Sequence, residues 1–128
     1  YDLFSLKTLE ALIDAIGPNA ARKALARLGG ELGKDLASQL AGKSIEQRMP
    51  AILAALQDLG FDAVIEETAD GAAPEVSAYN CIYHTLAQAH PDVCTLDLAL
   101  LEKASDATVD HLSCMAKGDN ACRFRFRR

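Results

Sequence analysis

The sequence predicts an α+β domain in which N-terminal helices pack on a small antiparallel sheet and two short helices carry cysteines. Apolar residues recur at helical spacing in the first sixty residues, whereas later segments alternate apolar and polar residues as strands do. The 128 residues also fall within the usual size of one domain and can bury a core without disulfides. We therefore expect a single domain over residues 1–128.

The first and third predicted helices have clear ends. Ser5 to Ile16 places leucine and isoleucine on one face, and Gly17-Pro18 supplies a stop signal. Ser44 and Gln47 fit a capping box that opens a third helix, which runs to Leu59.

The second predicted helix, Asn19 to Ala41, contains Gly29, Gly30 and Gly33 near its middle. Each internal glycine costs about 1 kcal/mol relative to alanine. Either another backbone or a ligand approaches this helix closely, or the helix breaks at Gly29-Gly30.

Four extended segments complete the prediction. Phe61 to Thr68 and Glu75 to Tyr79 are predicted to form a hairpin across the turn at Asp70-Gly71. Thr108 to Met115 and Ala121 to Phe126 form a second antiparallel pair. Between the two pairs we expect two short helices, Cys81 to Ala89 and Val93 to Lys103.

Charge argues against a nucleic-acid-binding surface on this chain. The net charge is −5 and the isoelectric point is about 5.1, whereas DNA-binding domains usually carry a basic face. Four arginines lie at the end of the chain, but they alternate with Cys122, Phe124 and Phe126, so we expect them to be the solvated face of a strand.

The sequence contains no apolar run of about 20 residues and no signal-peptide pattern, which favours a cytoplasmic protein in which disulfides are improbable. Because the first residue is Tyr1 and not methionine, we expect an upstream segment, and a DNA-binding domain is the segment that a regulatory module needs. DNA contact is then expected only through that upstream domain.

All four cysteines lie within 42 residues, at Cys81, Cys94, Cys114 and Cys122. Four soft ligands this close together suit a tetrahedral zinc site or an iron–sulfur cluster. The alternative is two pairs of buried thiols without metal, because free cysteine packs as a small hydrophobe. None of the spacings is the tight C-x-x-C of a zinc knuckle.

The predicted elements place these cysteines in two groups. Cys81 and Cys94 lie near the starts of the two short helices, while Cys114 and Cys122 flank one hairpin loop. Two histidines could replace one ligand. His84 follows Cys81 by three residues on one helix face, and His111 lies on the opposite side of its strand from Cys114 unless a bulge intervenes.

No catalytic constellation stands out, and we predict that the chain is not an enzyme. Ser113 has no nucleophile-elbow glycines around it, Glu66-Glu67 points to opposite faces of a strand, and no glycine-rich phosphate loop is present. The proton donors available to an enzyme would be Tyr79, Tyr83 and the histidines.

One resemblance is to the C-terminal sensor region of bacterial iron–sulfur-responsive repressors of cluster-assembly operons. The residues that carry it are Asn80-Cys81, Cys94, the run Leu96 to Glu102, Val109 and Gly118-Asp119-x-x-Cys122. That resemblance implies a 4Fe-4S cluster held by the cysteines and a preceding winged-helix DNA-binding domain. The sequence departs from the pattern in that the family's third cysteine would fall near Ala107, whereas the third here is Cys114.

The segment Cys114 to Cys122 also resembles the 4-vinyl reductase domain family, which includes the sensor domains of phenol-responsive activators. This looser resemblance covers most of the chain. It implies a zinc ion held by three cysteines and a glutamate, near a pocket for a small apolar ligand. Cys94, Cys114 and Cys122 match the three cysteines, and His111 stands where the glutamate would be.

Three function classes follow. We favour a metal- or iron–sulfur-binding sensor domain of a bacterial transcription regulator, which binds a small apolar ligand or reads the state of its metal centre. We prefer an iron–sulfur cluster (4Fe-4S) to zinc as that centre. The second class is an enzyme or assembly factor of the vinyl-reductase type, and the third is a structural dimerisation domain without metal. We expect a homodimer, because the apolar faces of the helices before Gly60 exceed what a small sheet can cover.

Overall fold

The computed structural model describes residues 3–66, 68–69, 71–80 and 94–127. In chain order the elements are α1 (Leu3–Ile16), α2 (Pro18–Gln39), α3 (Ile45–Asp58), β1 (Ala63–Glu66), β2 (Glu75–Ala78), α4 (Cys94–Ser105), β3 (Thr108–Ser113) and β4 (Cys122–Arg127). A short 3-10 turn, Met115–Lys117, lies between β3 and β4. The prediction of an α+β fold is confirmed. The predicted helix Cys81 to Ala89 lies outside the described residues.

The four strands form one antiparallel sheet in the order β1-β2-β4-β3. Both predicted hairpin pairs are present, and pairing of β4 with β2 joins them, so that Val76 lies opposite Phe124. Alternate residues of β4 are buried, namely Cys122, Phe124 and Phe126, while the arginines between them point away from the core, as the alternation predicts. Arg125 and Arg127 pair with Glu75 and Asp110 on that outer face.

The helices cover the other face of the sheet in layers. α3 and α4 lie directly on the sheet, and their residues Ile52 and Leu101 are fully buried with Val76 and Phe126. α2 packs chiefly on α4, and α1 packs on α2. The N-terminal helices therefore reach the sheet partly through α4, which the sequence places much later in the chain.

The ends of α3 follow from its sequence. The Ser44 side chain accepts the Gln47 N–H, and the Gln47 side chain accepts the Ser44 N–H, so the predicted capping box is present. Pro50 lies within the helix without ending it.

α2 is continuous, so a break at Gly29-Gly30 is the wrong alternative and a close backbone approach is the correct one. A Cβ on Gly29 would clash with the carbonyl oxygen of Leu96, and one on Gly33 would lie 2.5 Å from the carbonyl oxygen of Leu100. These two glycines let the α2 and α4 backbones come together. Among the described helices, none is long and apolar enough to cross a membrane.

Candidate metal centre

A β-bulge in β3 brings His111 and Cys114 to the same side of the sheet. His111 lies opposite Phe124, but the next pair is Ser113 with Arg123, so Leu112 is the extra residue. Phe124 faces the core, and His111 therefore faces the core as well. Beyond the bulge the alternation is shifted by one residue, so Cys114 is also buried. The sequence allowed this outcome only if a bulge intervened.

The hairpin closes the site by adding Cys122. Each of His111, Cys114 and Cys122 offers one ligand atom, and these three atoms lie within 4.8 Å of one another. Cys114 follows β3 and Cys122 begins β4, so pairing of the two strands sets their separation. The site thus joins two of the four predicted cysteines with the predicted histidine.

The His111 side chain is held in a position suited to metal binding. Its ring stacks on Phe124, with ring centroids 4.7 Å apart and an interplanar angle of 16°. The buried Nε2 atom has no hydrogen-bond partner among the described residues. Burial, followed by the positive charge of Lys117, lowers the pKa of His111, so that the ring is neutral at pH 7. A neutral imidazole nitrogen has a free lone pair, which a metal ion requires.

The loop between the strands supports the two thiols through its backbone. Asp119 accepts the Cys114 N–H at 2.8 Å with its carboxylate and donates its own N–H to the Cys114 carbonyl at 3.1 Å. The N–H of Met115 lies 3.4 Å from Cys122 Sγ and donates to it. Gly118 closes the turn with a positive φ of 99°. Such outer contacts orient metal ligands in known sites.

The other predicted ligands stand apart from this cluster. Cys94 is the first residue of α4, partly buried against the core, and does not belong to the group that lies within 4.8 Å. Cys94, Cys114 and Cys122 form no disulfide with one another. Cys81 and His84 lie outside the described residues. A site of four cysteines therefore stays a prediction.

Asn80, which carries part of the resemblance to the iron–sulfur repressors, has a structural role. Its side chain accepts the Asp62 N–H at 2.6 Å and donates to the Gly60 carbonyl at 2.9 Å. It thereby fixes the chain between α3 and β1. This asparagine needs no metal to explain it.

Sequence reasoning missed the roles of Asp119 and Leu112. For Asp119 a signal exists, because an aspartate next to Gly118 is a common sign of a side chain that binds its own turn. Leu112 offers no local signal, because nothing in the residue type distinguishes a bulge from a regular strand position.

No protein-family model matches the sequence, and no curated protein matches it. A solved structure does: the phenol-responsive sensory domain of the transcription activator PoxR, in a crystal structure with phenol. The TM-score is 0.62 at 13% sequence identity, and the match covers 94% of this chain and 70% of the PoxR chain. The two domains share a fold. This likeness supports, at the level of fold, the looser of the two resemblances; the resemblance to iron–sulfur repressors stays a prediction.

Proposed function

We propose that this chain is the ligand-sensing domain of a transcription regulator and that His111, Cys114 and Cys122 bind a metal ion within it. The observation that carries the metal proposal is the buried cluster of one imidazole and two thiols within 4.8 Å. A chance arrangement would leave the buried Nε2 of His111 without compensation, which costs about 1–3 kcal/mol. A metal ion removes that cost.

Zinc fits this donor set better than an iron–sulfur cluster. In a tetrahedral zinc site with Zn–S bonds of about 2.3 Å, neighbouring ligand atoms are roughly 4 Å apart. Atoms within 4.8 Å of one another need only a small adjustment to reach that spacing. A cluster is usually held by four cysteines on different iron atoms, and only two cysteines lie in this group.

The proposed role of the metal is to fix the hairpin, not to catalyse a reaction. Cys114 and Cys122 are both buried, and the ion would tie the end of β3 to the start of β4 beneath the helices. Structural zinc sites contribute directly to folding free energy. A fourth ligand, which such sites require, is expected from Cys94 or Cys81.

The sensing proposal rests on the fold shared with the PoxR domain, whose title names it as phenol-responsive. We propose a small, largely apolar molecule as the ligand. We propose a homodimer as the assembly, since two-fold dimers are the commonest homo-oligomers.

The metal proposal is tested by analysis of protein purified without oxygen. We expect about one zinc per chain, and at least a tenfold loss of zinc affinity in His111→Ala, Cys114→Ser and Cys122→Ser. Asp110→Asn is the matched control, because Asp110 lies on β3 but pairs with Arg127 on the outer face. It should keep its zinc. Chelation should lower the melting temperature of the unaltered protein.

Full zinc occupancy in all three variants would refute the proposed ligands. A brown protein containing iron and sulfide under the same conditions would instead support the cluster. The zinc affinity of Cys94→Ser then decides whether Cys94 is the fourth ligand: a loss of affinity means that it is, and an unchanged affinity means that it is not.

A further inference from the structure

α1 exposes most of its apolar side chains. Ile13 is its only buried residue among those described, whereas Phe4 is 76% exposed and Leu12 is 56% exposed. Helices in folded domains normally bury one apolar stripe, and a helix with so little burial gains little stability from packing. The apolar surface of α1 therefore needs a cover that the described part of the chain does not supply.

α2 continues this surface. Leu28 and Leu32, one turn apart on α2, are 48% and 43% exposed. Between the two helices lies a groove of about 200 Å³ whose lining is almost wholly apolar, and its walls include Leu9, Leu12 and Ile16 of α1 with Ala21, Ala24 and Leu28 of α2. We call this groove, together with Phe4 and Leu32, the α1/α2 face.

The groove has the size and chemistry for one aromatic side chain. An apolar cavity of about 150 Å³ is enough to hold a benzene ring. The groove of about 200 Å³ therefore has room for a phenylalanine side chain. The most exposed large apolar side chain of the described residues is Phe4, on the same face. The face thus carries both a cavity and a group that fits it.

The charges on the two helices are complementary. α1 carries Lys7, Glu10 and Asp14, a net charge of −1. α2 carries four basic and two acidic residues, a net charge of +2. Within the helices, Lys7 pairs with Glu10 on α1 and Arg27 pairs with Glu31 on α2. An arrangement that lays α1 of one molecule against α2 of another is electrostatically favourable, and two identical copies provide it twice.

We propose that the α1/α2 face is the interface of a homodimer, in which Phe4 of each copy enters the groove of the other. The symmetry is isologous, because the same face contributes the cavity and the side chain that fills it. Helices of 14 and 22 residues are about 21 and 33 Å long and pack about 10 Å apart, so the face covers roughly 500 Å² in projection. A corrugated interface there approaches the roughly 800 Å² per partner of stable complexes.

This inference rests on the proposed function in one respect, namely that the partner is a second copy of the same chain. It is independent of the metal, since the metal centre is on the sheet and α1 contacts α2.

Sedimentation equilibrium of the 128-residue chain tests the proposal. The unaltered protein should be a dimer at micromolar concentration. Phe4→Glu and Leu28→Glu should each weaken the dimer at least tenfold, because they place a charge against the apolar face. Val64→Glu is the matched control: Val64 is 40% exposed on β1, away from this face, and its replacement should leave the dimer unchanged.

Circular dichroism and zinc content are measured on the same samples. A monomeric unaltered protein, or folded glutamate variants that dimerise like the unaltered protein, would overturn the interface. A monomer that retains zinc would refute the interface and support the metal proposal. A dimer without zinc would support the interface and refute the metal proposal.

Discussion

Asp97 is an acidic side chain buried in α4, one turn after Cys94. Burial raises the pKa of Asp97 from 3.8 to about 7, because the charged carboxylate loses its hydration. In the unfolded chain the same carboxyl ionises near pH 4. Between these two values the folded protein keeps a proton that the unfolded protein has lost.

The unfolding free energy should therefore fall as the pH rises from about 4 to 7. Because the folded pKa lies above the unfolded one, the full stability is present below pH 4 and the loss is complete above pH 7. Between pH 5 and pH 8 the loss amounts to on the order of 2 kcal/mol. Asp97→Asn removes this ionisation, and urea unfolding at both pH values should show a smaller decrease for the variant.

The comparison with Asp97→Asn separates this effect from that of His111. The lowered pKa of His111 acts in the opposite sense, since its contribution is lost as the pH falls. It is present in both proteins and cancels in the difference. Parallel pH profiles for the two proteins would show that Asp97 is ionised in the folded state.

At the scale of elements, the contact of α2 with α4 determines how closely the layers pack. Gly33→Ala should destabilise the protein by about 1–3 kcal/mol, because the new Cβ would meet the Leu100 carbonyl at 2.5 Å and the Lys103 Cβ at 2.7 Å. Gly30→Ala is the matched control. Its Cβ would meet only Lys103 Cγ at 4.0 Å, so it should stabilise α2 by up to about 1 kcal/mol. The urea midpoints of unfolding measure the change in stability of both variants. A Gly33→Ala variant as stable as the unaltered protein would contradict the close approach of α2 to α4.

Local elements were predictable where the sequence contains a local signal. The capping box at Ser44 and the alternation of Cys122, Phe124 and Phe126 each determine one element through its nearest neighbours. The three glycines of α2 predicted either a close contact or a helix break. They could not name the partner of the contact that Gly29 and Gly33 make, because α4 lies more than fifty residues later in the sequence.

The residues that could donate to a metal were predictable from the sequence, but their arrangement in space was not. Cys114, Cys122 and His111 were all named from the sequence, and they do come together. The bulge that unites them depends on pairing with β4, so a period of two residues along β3 cannot reveal it. For Cys94 the outcome depends on residues 81–93, outside those described.

At the scale of the whole molecule, the sheet carries the metal centre while the outermost helix layer carries the apolar face. α3 and α4 lie between them and, together with α2, contain the apolar contacts through which a bound ligand could influence both. One apolar groove of about 260 Å³ lies among these three helices, lined by leucines and by Asp58. This groove suits a molecule about the size of a benzene ring.

The sensing proposal predicts that phenol raises the melting temperature of the zinc-loaded chain. At a concentration 100 times its Kd, a ligand that binds only the folded protein stabilises it by about 2.7 kcal/mol, which corresponds to several degrees in a domain of this size. Cyclohexanol has a similar size and hydroxyl but no aromatic ring, and it serves as the control. Equal shifts with both compounds would mean non-specific partitioning, and no shift at saturating phenol would exclude it as the ligand.

The extra residue at Leu112 also has a consequence for how such a site changes over evolution. Without Leu112, His111 would still lie opposite Phe124 and Ser113 opposite Arg123, so regular pairing in β3 would keep His111 and Cys114 both on the inner side. A homologue could thus keep the same two-sulfur, one-nitrogen donor set with one residue fewer between its histidine and its first cysteine, by losing three nucleotides and without altering any ligand codon. Homologues are therefore better compared by the inward or outward side of each strand position than by counting residues between ligands.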